Sequence, residues 1–298
     1  MKTLLRPFRF IFSHPLTKNN KILGIINFLI WQLKSRINKN EQVISWFEGL
    51  KLNIKRGMHG ATGCIYVGLP EFEDMSFLLH FLKKDDLFLD IGANVGVYSL
   101  LASGIKQAQT IAIEPVPTTF NFLQKNIVLN QLNKTITSLN IGLADKNGNL
   151  YFTSDGDTNN HVTDTKTDKS IEVDVKTLDT ITENILTVDT IIKMDVEGFE
   201  IKVLEGATCI LQNPLLQAVI VELNGCGKRY GYQDADVDKT LLENGFERYE
   251  YNPFKRELIK IAHFHTEKNT LYLRESKIEY IKEKLKKSNP YHIFNRSI

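Results

Sequence analysis

From about residue 85 the chain alternates short unbroken apolar runs with stretches in which apolar positions recur every three or four residues. LFLDIGA leads into VGVYSLLASGIK, TIAIEP into PTTFNFLQKNIVLN, and TIIKMDV into GFEIKVLEGATCILQ, with TITSLNIGLA and LYFT between them and QAVIVELN last. Continuous apolar strands between amphipathic helices predict a parallel sheet covered on both faces. The fold class is therefore α/β, a doubly wound sheet over roughly residues 70 to 275. In the helix after residue 198, Val203, Leu204, Ala207, Ile210 and Leu211 form one apolar stripe that would pack on the sheet.

The flanks follow other patterns. The apolar run ILGIINFLIWQL, residues 22 to 33, is well short of the roughly 20 residues a spanning helix needs, which predicts a packed helix. The first twenty residues are basic and aromatic without a long apolar stretch and cleavage site, so they do not read as a signal peptide. A basic helical extension of this kind leaves peripheral contact with a membrane surface as its second reading. The end, KIEYIKEKLKKSNPYHIFNRSI, is expected to be a solvated basic amphipathic helix with a frayed terminus. The expected organisation is an N-terminal helical extension (1–55), a catalytic-type domain (56–275) and a C-terminal basic helical tail (276–298). Residues 153–170, TSDGDTNNHVTDTKTDKS, read as a long polar loop, a kind of segment that often carries function.

Composition narrows the function classes. With 42% hydrophobic and 24% charged residues the chain is of ordinary globular type. Its net charge of +2, from 37 basic and 35 acidic residues, gives no reason to expect a nucleic-acid partner. Cys64, Cys209 and Cys226 are odd in number and show no CxxC spacing, so neither a disulfide framework nor a zinc site is expected. Free thiols in a reducing cytoplasm are the default reading.

Candidate chemistry gathers at the strand ends. In FLDIGANVGVYSL, residues 88 to 100, Gly92 and Gly96 permit a tight turn with close backbone approach, and the following helix start offers unpaired amides. Asp90 at the strand end would accept hydrogen bonds from a bound amine or from loop amides. The next strand ends in Glu114, 24 positions after Asp90, where an acid is placed to hold both ribose hydroxyls of an adenosine. The glycine spacing is not the GxGxxG of a dinucleotide site, and Asn94 stands between the two glycines. The turn suits an adenosine cofactor without phosphates, and S-adenosyl-L-methionine fits that description.

DIGANVGVYSL, AIEPVPTTFNFLQKNIVLN, GLADKNGNLYF, IIKMDVEGFEIKVLEGA and VIVELN, in this order, resemble the FkbM family of S-adenosylmethionine-dependent methyltransferases. The resemblance spans about residues 60 to 225, and DVEGFE is its most specific part. It implies a class I (Rossmann-like) methyltransferase and, usually, O-methylation of a hydroxyl on a sugar, glycan or natural product. By that resemblance Asp90, Gly92, Asn94, Gly96 and Glu114 are carried over as cofactor contacts. Asn140 and Asp145, flanking the end of the third strand, are both candidates for an adenine contact.

Methyl transfer to an alcohol needs alignment, exclusion of water, and a group to take the hydroxyl proton. Asp195 ends the fourth strand at the crevice where ligands of such sheets bind, and it is the expected site carboxylate. Glu222, ending VIVEL, and His161, in the polar loop, are the other candidates for the base or for orienting the hydroxyl. Glu200 is expected simply to favour the helix dipole, while Glu197 stands at the border of the site. Asp195, Glu197 and Glu222 are of the type that binds a hard cation, but nothing in the spacing makes a metal part of the expectation. Two alternatives remain: an NAD-dependent oxidoreductase, which Glu114 permits and the glycine spacing opposes, and a non-catalytic cofactor-binding scaffold. The turn-rich segment 56 to 77, with Gly57, Gly60, Gly63, Gly68 and Tyr66, is expected to cap the sheet and line an acceptor pocket.

Overall fold

The computed structural model describes residues 2–153, 160–163 and 166–298. Parts of the polar loop, residues 154–159 and 164–165, thus lie outside the described residues. The central sheet has eight strands: β1 (Leu87–Ile91), β2 (Gln109–Ile113), β3 (Ile136–Leu139), β4 (Thr190–Met194), β5 (Leu216–Val221), β6 (Phe246–Asn252), β7 (Glu257–Lys260) and β8 (Thr270–Arg274). They lie in the order β7-β6-β8-β5-β4-β1-β2-β3. β1 to β5 run parallel, whereas β8 is antiparallel to both β5 and β6, and β7 is antiparallel to β6.

Every residue of β1, β4, β5 and β8 is buried, as unbroken apolar runs in a doubly covered sheet require. Alternation then divides their side chains between two faces. Phe88, Ile191, Ala218 and Ile220 join one core with Phe77, Phe81 and Leu100. Leu89, Ile91, Ile192, Met194 and Val219 join the other, where the expected stripe of Val203, Leu204, Ala207, Ile210 and Leu211 meets the sheet.

The N-terminal helices Lys2–Ser13 and Lys21–Ile37 bury Ile11 and Trp31 in the first of these cores. A hairpin, Gln42–Ser45 with Lys51–Ile54, ties the extension onward through Asn126, whose Oδ1 accepts from Asn53 N at 2.6 Å and whose Nδ2 donates to Val95 O at 2.9 Å. The C-terminal segment departs from its expected solvated state. In helix Ile278–Lys286, Ile281 and Leu285 enter the same core, as does Ile298. Lys284 is itself buried, with Nζ 2.8 Å from Asp86 and 2.9 Å from Asp189 at the starts of β1 and β4. The helix carries enough apolar surface on one side to pack, and its buried lysine is paired twice.

The polar loop departs from expectation in one respect: the strand Val162–Thr163 lies within it, in a sheet to which the strand-like runs TITSLNIGLA and LYFT also contribute. Gly142–Leu143, Gly148–Thr153, Val162–Thr163 and Ser170–Lys176 form a separate four-stranded sheet. Its small core holds Ala144, Phe152, Val162, Val173 and Val175.

Candidate active site

At the end of β1, the turn depends on glycine at two positions. Gly92 has φ +77°, and a Cβ there would lie 1.9 Å from the carbonyl oxygen of Asp195. The ends of β1 and β4 can therefore abut only without a side chain at this point. Gly96, at φ +88°, starts the next helix from a left-handed conformation.

The carboxylates here are bound to backbone. Asp90, 1% exposed, accepts from Ser99 N at 3.0 Å and Ser99 Oγ at 2.5 Å. Burial raises the pKa of its carboxyl, against the pull of the Lys193 charge. Glu114 accepts from Asn94 N at 3.0 Å on one oxygen and from Val116 N at 2.9 Å on the other. Gly92 N and Ala93 N both donate to Ile113 O, and Val95 N donates to Asn94 Oδ1 at 2.8 Å. The amides of residues 92 to 95 are thus already paired within the protein, as is Ser99 N in the first turn of the helix. Burial is the main reason that Glu114 is pushed up to about 7, with the two amides opposing it.

At the end of β4 the turn is built differently. Lys193, in register with Asp90 on β1, places Nζ 2.9 Å from Asp195 Oδ2 and 5.4 Å above the Tyr98 ring. Burial works against its charge, but Asp195, Glu71 and Asp90 outweigh that and hold the ammonium above the ordinary lysine range. Glu197 and Gly198 both have positive φ, and a Cβ on Gly198 would meet the carbonyl carbon of Cys226 at 2.4 Å. Glu200 is no surface decoration of a helix start. It is 6% exposed, and its Oε1 accepts from Val196 N at 3.2 Å and Gly198 N at 3.1 Å, clamping the turn.

Glu222 follows β5 and receives the Asn224 amide at 3.1 Å. Burial first, then the adjacent Asp195 charge, pushes Glu222 up to about 8. Glu197 is raised to about 7 by burial and Asp195. Carboxyl groups this close do not all ionise together near neutral pH, so protons are retained among them.

These groups enclose a cavity of about 500 Å³ at the carboxyl ends of β1, β4 and β5. Among the described residues, six acids, Glu71, Asp90, Glu114, Asp195, Glu197 and Glu222, face it against one lysine, Lys193, so it favours a cationic ligand. Gly92, Asn94, Asp90, Glu114, Asp195 and Glu222 are therefore brought together as the sequence led us to expect. Gly96 instead supports the wall through its left-handed turn.

Three expected residues stand elsewhere. Asn140 is exposed and donates to Glu114 O at 2.8 Å and Pro115 O at 3.0 Å, holding the backbone beneath the cavity. Asp145 is exposed, 3.4 Å from Lys202 Nζ. His161 is absent from the wall that its neighbours Asn160 and Val162 help to form, because successive side chains of an extended segment point opposite ways. Tyr66 packs edge-on against Phe28, while Gly60 from the same segment does reach the cavity.

Sequence reasoning missed Lys193 and Glu71 as site residues. Lys193 had a signal, since it stands two places before Asp195 and shares its side of the strand. Glu71 lies in the segment 56 to 77 that was expected to line a pocket but was not singled out there: it precedes helix Phe72–Phe81 and accepts from Tyr98 Oη at 2.6 Å and Asn269 Nδ2 at 2.7 Å. Among the described residues no group of three His, Cys, Asp or Glu side chains converges as a metal-ligand set.

The model of the methyltransferase FkbM domain matches residues 90–248, just over half of the chain. The hexuronic acid methyltransferase AglP of Haloferax volcanii is 30% identical over 174 residues, covering 58% of this chain and 68% of that protein. The methyltransferase sdnD of Sordaria araneosa is 31% identical over 83 residues, 28% of this chain and 32% of that one. The crystal structure of the methyltransferase FkbM from Methylobacillus flagellatus overlaps with a TM-score of 0.45 at 16% identity, covering 71% of this chain and 52% of that one. The chain thus spans about half of that solved structure and about a third of the fungal relative.

Proposed function

The chain belongs to the FkbM family of S-adenosylmethionine-dependent methyltransferases, and we propose that it methylates a hydroxyl group of a neutral sugar or sugar-like acceptor. The observation that carries this reading is the cavity wall, on which the described residues place six acids and one lysine. The donor set fits the cofactor, whose sulfonium and ammonium are cationic and whose ribose offers two hydroxyl donors. When bound, that cofactor supplies an electrophilic methyl group.

The roles of the chain's own residues follow from their partners. Each Glu114 oxygen accepts one backbone amide and keeps a lone pair for a ribose hydroxyl. Asp90, on the cavity wall, anchors the helix start through Ser99. Asp195 faces the cavity and takes the acceptor proton as the new C–O bond forms, with Lys193 compensating charge and orienting its carboxylate. Glu222, held protonated by burial and by Asp195, donates a hydrogen bond to an acceptor oxygen.

A neutral acceptor is favoured over a uronate, although the haloarchaeal relative is named for hexuronic acid. Among the described residues the one lysine on the wall is already paired with Asp195, so a second carboxylate would enter among acids without a counter-charge. The test is labelled methyl transfer to matched neutral hexosides and hexuronides, with calorimetry of the cofactor alongside. Transfer to the neutral series and binding that Glu114→Ala weakens at least about tenfold are expected. Preference for hexuronides would overturn the acceptor assignment, and tight NADH binding without S-adenosylmethionine binding would overturn the reading as a whole.

A further inference from the structure

Helix Lys21–Ile37 is apolar on two opposite faces. Gly24, Trp31 and Ser35 turn inward and are buried, and a Cβ on Gly24 would meet Ile11 Cγ2 at 2.5 Å. On the other side Ile22, Ile26, Leu29, Ile30, Leu33 and Ile37 fall within an arc of about 100°. They stand open, with Ile22 70%, Leu33 63% and Ile37 78% exposed.

Single exposed apolar residues are ordinary, but contiguous ones mark an interaction surface. Of twelve large apolar side chains exposed among the described residues, seven lie between Phe12 and Ile37, so the rest of the surface has no comparable patch. The charge around the stripe is of one sign. Residues 1–40 contain eight lysines and arginines and no acid, whereas the chain as a whole is only +2, which leaves the remainder net acidic. Lys34 and Arg36 border the stripe on its two sides, and Lys21 sits 5.5 Å above the ring of Phe12, itself 41% exposed. An aliphatic stripe between basic borders matches the acyl–headgroup boundary of an anionic bilayer, where long basic side chains reach the lipid phosphates.

We propose that the outer face of helix Lys21–Ile37 docks the protein onto an anionic lipid surface. The docked face stands one helix from the catalytic cavity, since helix His59–Val67 packs on it and contributes Gly60 to the cavity wall. The site would thus work close to the headgroup layer. The geometry requires no change at the cavity, and the docking is independent of which acceptor is methylated.

The experiment is flotation of the full chain with phosphatidylcholine vesicles, with and without phosphatidylglycerol. Binding several-fold stronger to the anionic vesicles is expected, and it should weaken as salt rises. Leu29→Glu with Leu33→Glu should lower it by about tenfold or more, because both side chains would lose their place in the acyl boundary. Lys34→Glu with Arg36→Glu should lower it several-fold. All four substitutions lie on the exposed side, and unchanged calorimetric binding of S-adenosylmethionine checks that the fold stands. Equal binding to neutral and anionic vesicles, wild-type binding by the leucine variant, or no vesicle binding by the wild type would overturn the proposal. A dimer that the leucine variant dissociates, without vesicle binding, would assign the face to self-association instead.

Discussion

The turns after β1 and β4 solve the same problem with different residues. Each brings the backbone through a positive-φ glycine, Gly92 or Gly198, at a point where a Cβ would strike another chain segment. Each is braced by a buried glutamate that accepts two main-chain amides, Glu114 in one case and Glu200 in the other. They differ in what is left over. After β1 both acids are engaged by backbone or by Ser99, whereas beside β4 Asp195, Glu197 and Glu222 crowd one another around a single lysine. The first turn is a framework with its polar groups satisfied. The second holds Glu197 and Glu222, which burial first and the Asp195 charge next push up to about 7 and about 8, into the range that acid–base work requires.

The sharpest way to break this comparison is Asp195→Asn. It removes the proton acceptor while keeping size and a hydrogen bond, so turnover should fall by about 10²- to 10⁴-fold with cofactor binding retained. A tenfold loss or less in steady-state turnover would return Asp195 to the framework group.

Glu200→Ala should act in the opposite sense. It orphans Val196 N and Gly198 N, and should cost about 2 kcal/mol in a denaturant titration. Intact stability with lost activity would show that Glu200 belongs to the chemistry.

The smallest effect is a slope. Glu222, raised from 4.5 to about 8, keeps its proton in the folded protein after the unfolded chain has released it. Its contribution to stability is therefore complete below about 4.5 and is lost as pH rises through about 8. Glu114 and Glu197, at about 7, act with the same sign. Thermal unfolding of the ligand-free protein should show stability declining across that window, with a shallower decline in Glu222→Gln. An unchanged slope would separate Glu222 from the coupled group.

Much of the sheet was legible because β1, β4 and β5 are buried on both faces and read as unbroken apolar runs. The small second sheet was legible only in its first two strands, within TITSLNIGLA and LYFT. Ser170–Lys176 alternates buried Val173 and Val175 with exposed Glu172 and Asp174, and it adjoins a polar stretch that masks that alternation. The tail misled for a related reason: Lys284 counts as a solvent-seeking residue until Asp86 and Asp189 meet it from strands far away in sequence. The same limit separates the site residues. Asp90, Glu114, Asp195 and Glu222 stand where strands end, a position that periodicity reveals, whereas Glu71 enters from outside the sheet. Asn140 and Asp145 also stand near a strand end, yet their side chains serve a carbonyl pair and a lysine. Strand periodicity locates a side chain along the chain and leaves its partners undetermined.

The Lys284 pairing has a consequence for the order of synthesis. Asp86 and Asp189 stand at the starts of two neighbouring parallel strands, and the cation that holds both lies on helix Ile278–Lys286, translated long after either. Until that helix emerges, two carboxylates lack their cation and the core surface that Ile281 and Leu285 cover stays open, so the nascent chain carries an unmet charge and an apolar patch that only this helix satisfies.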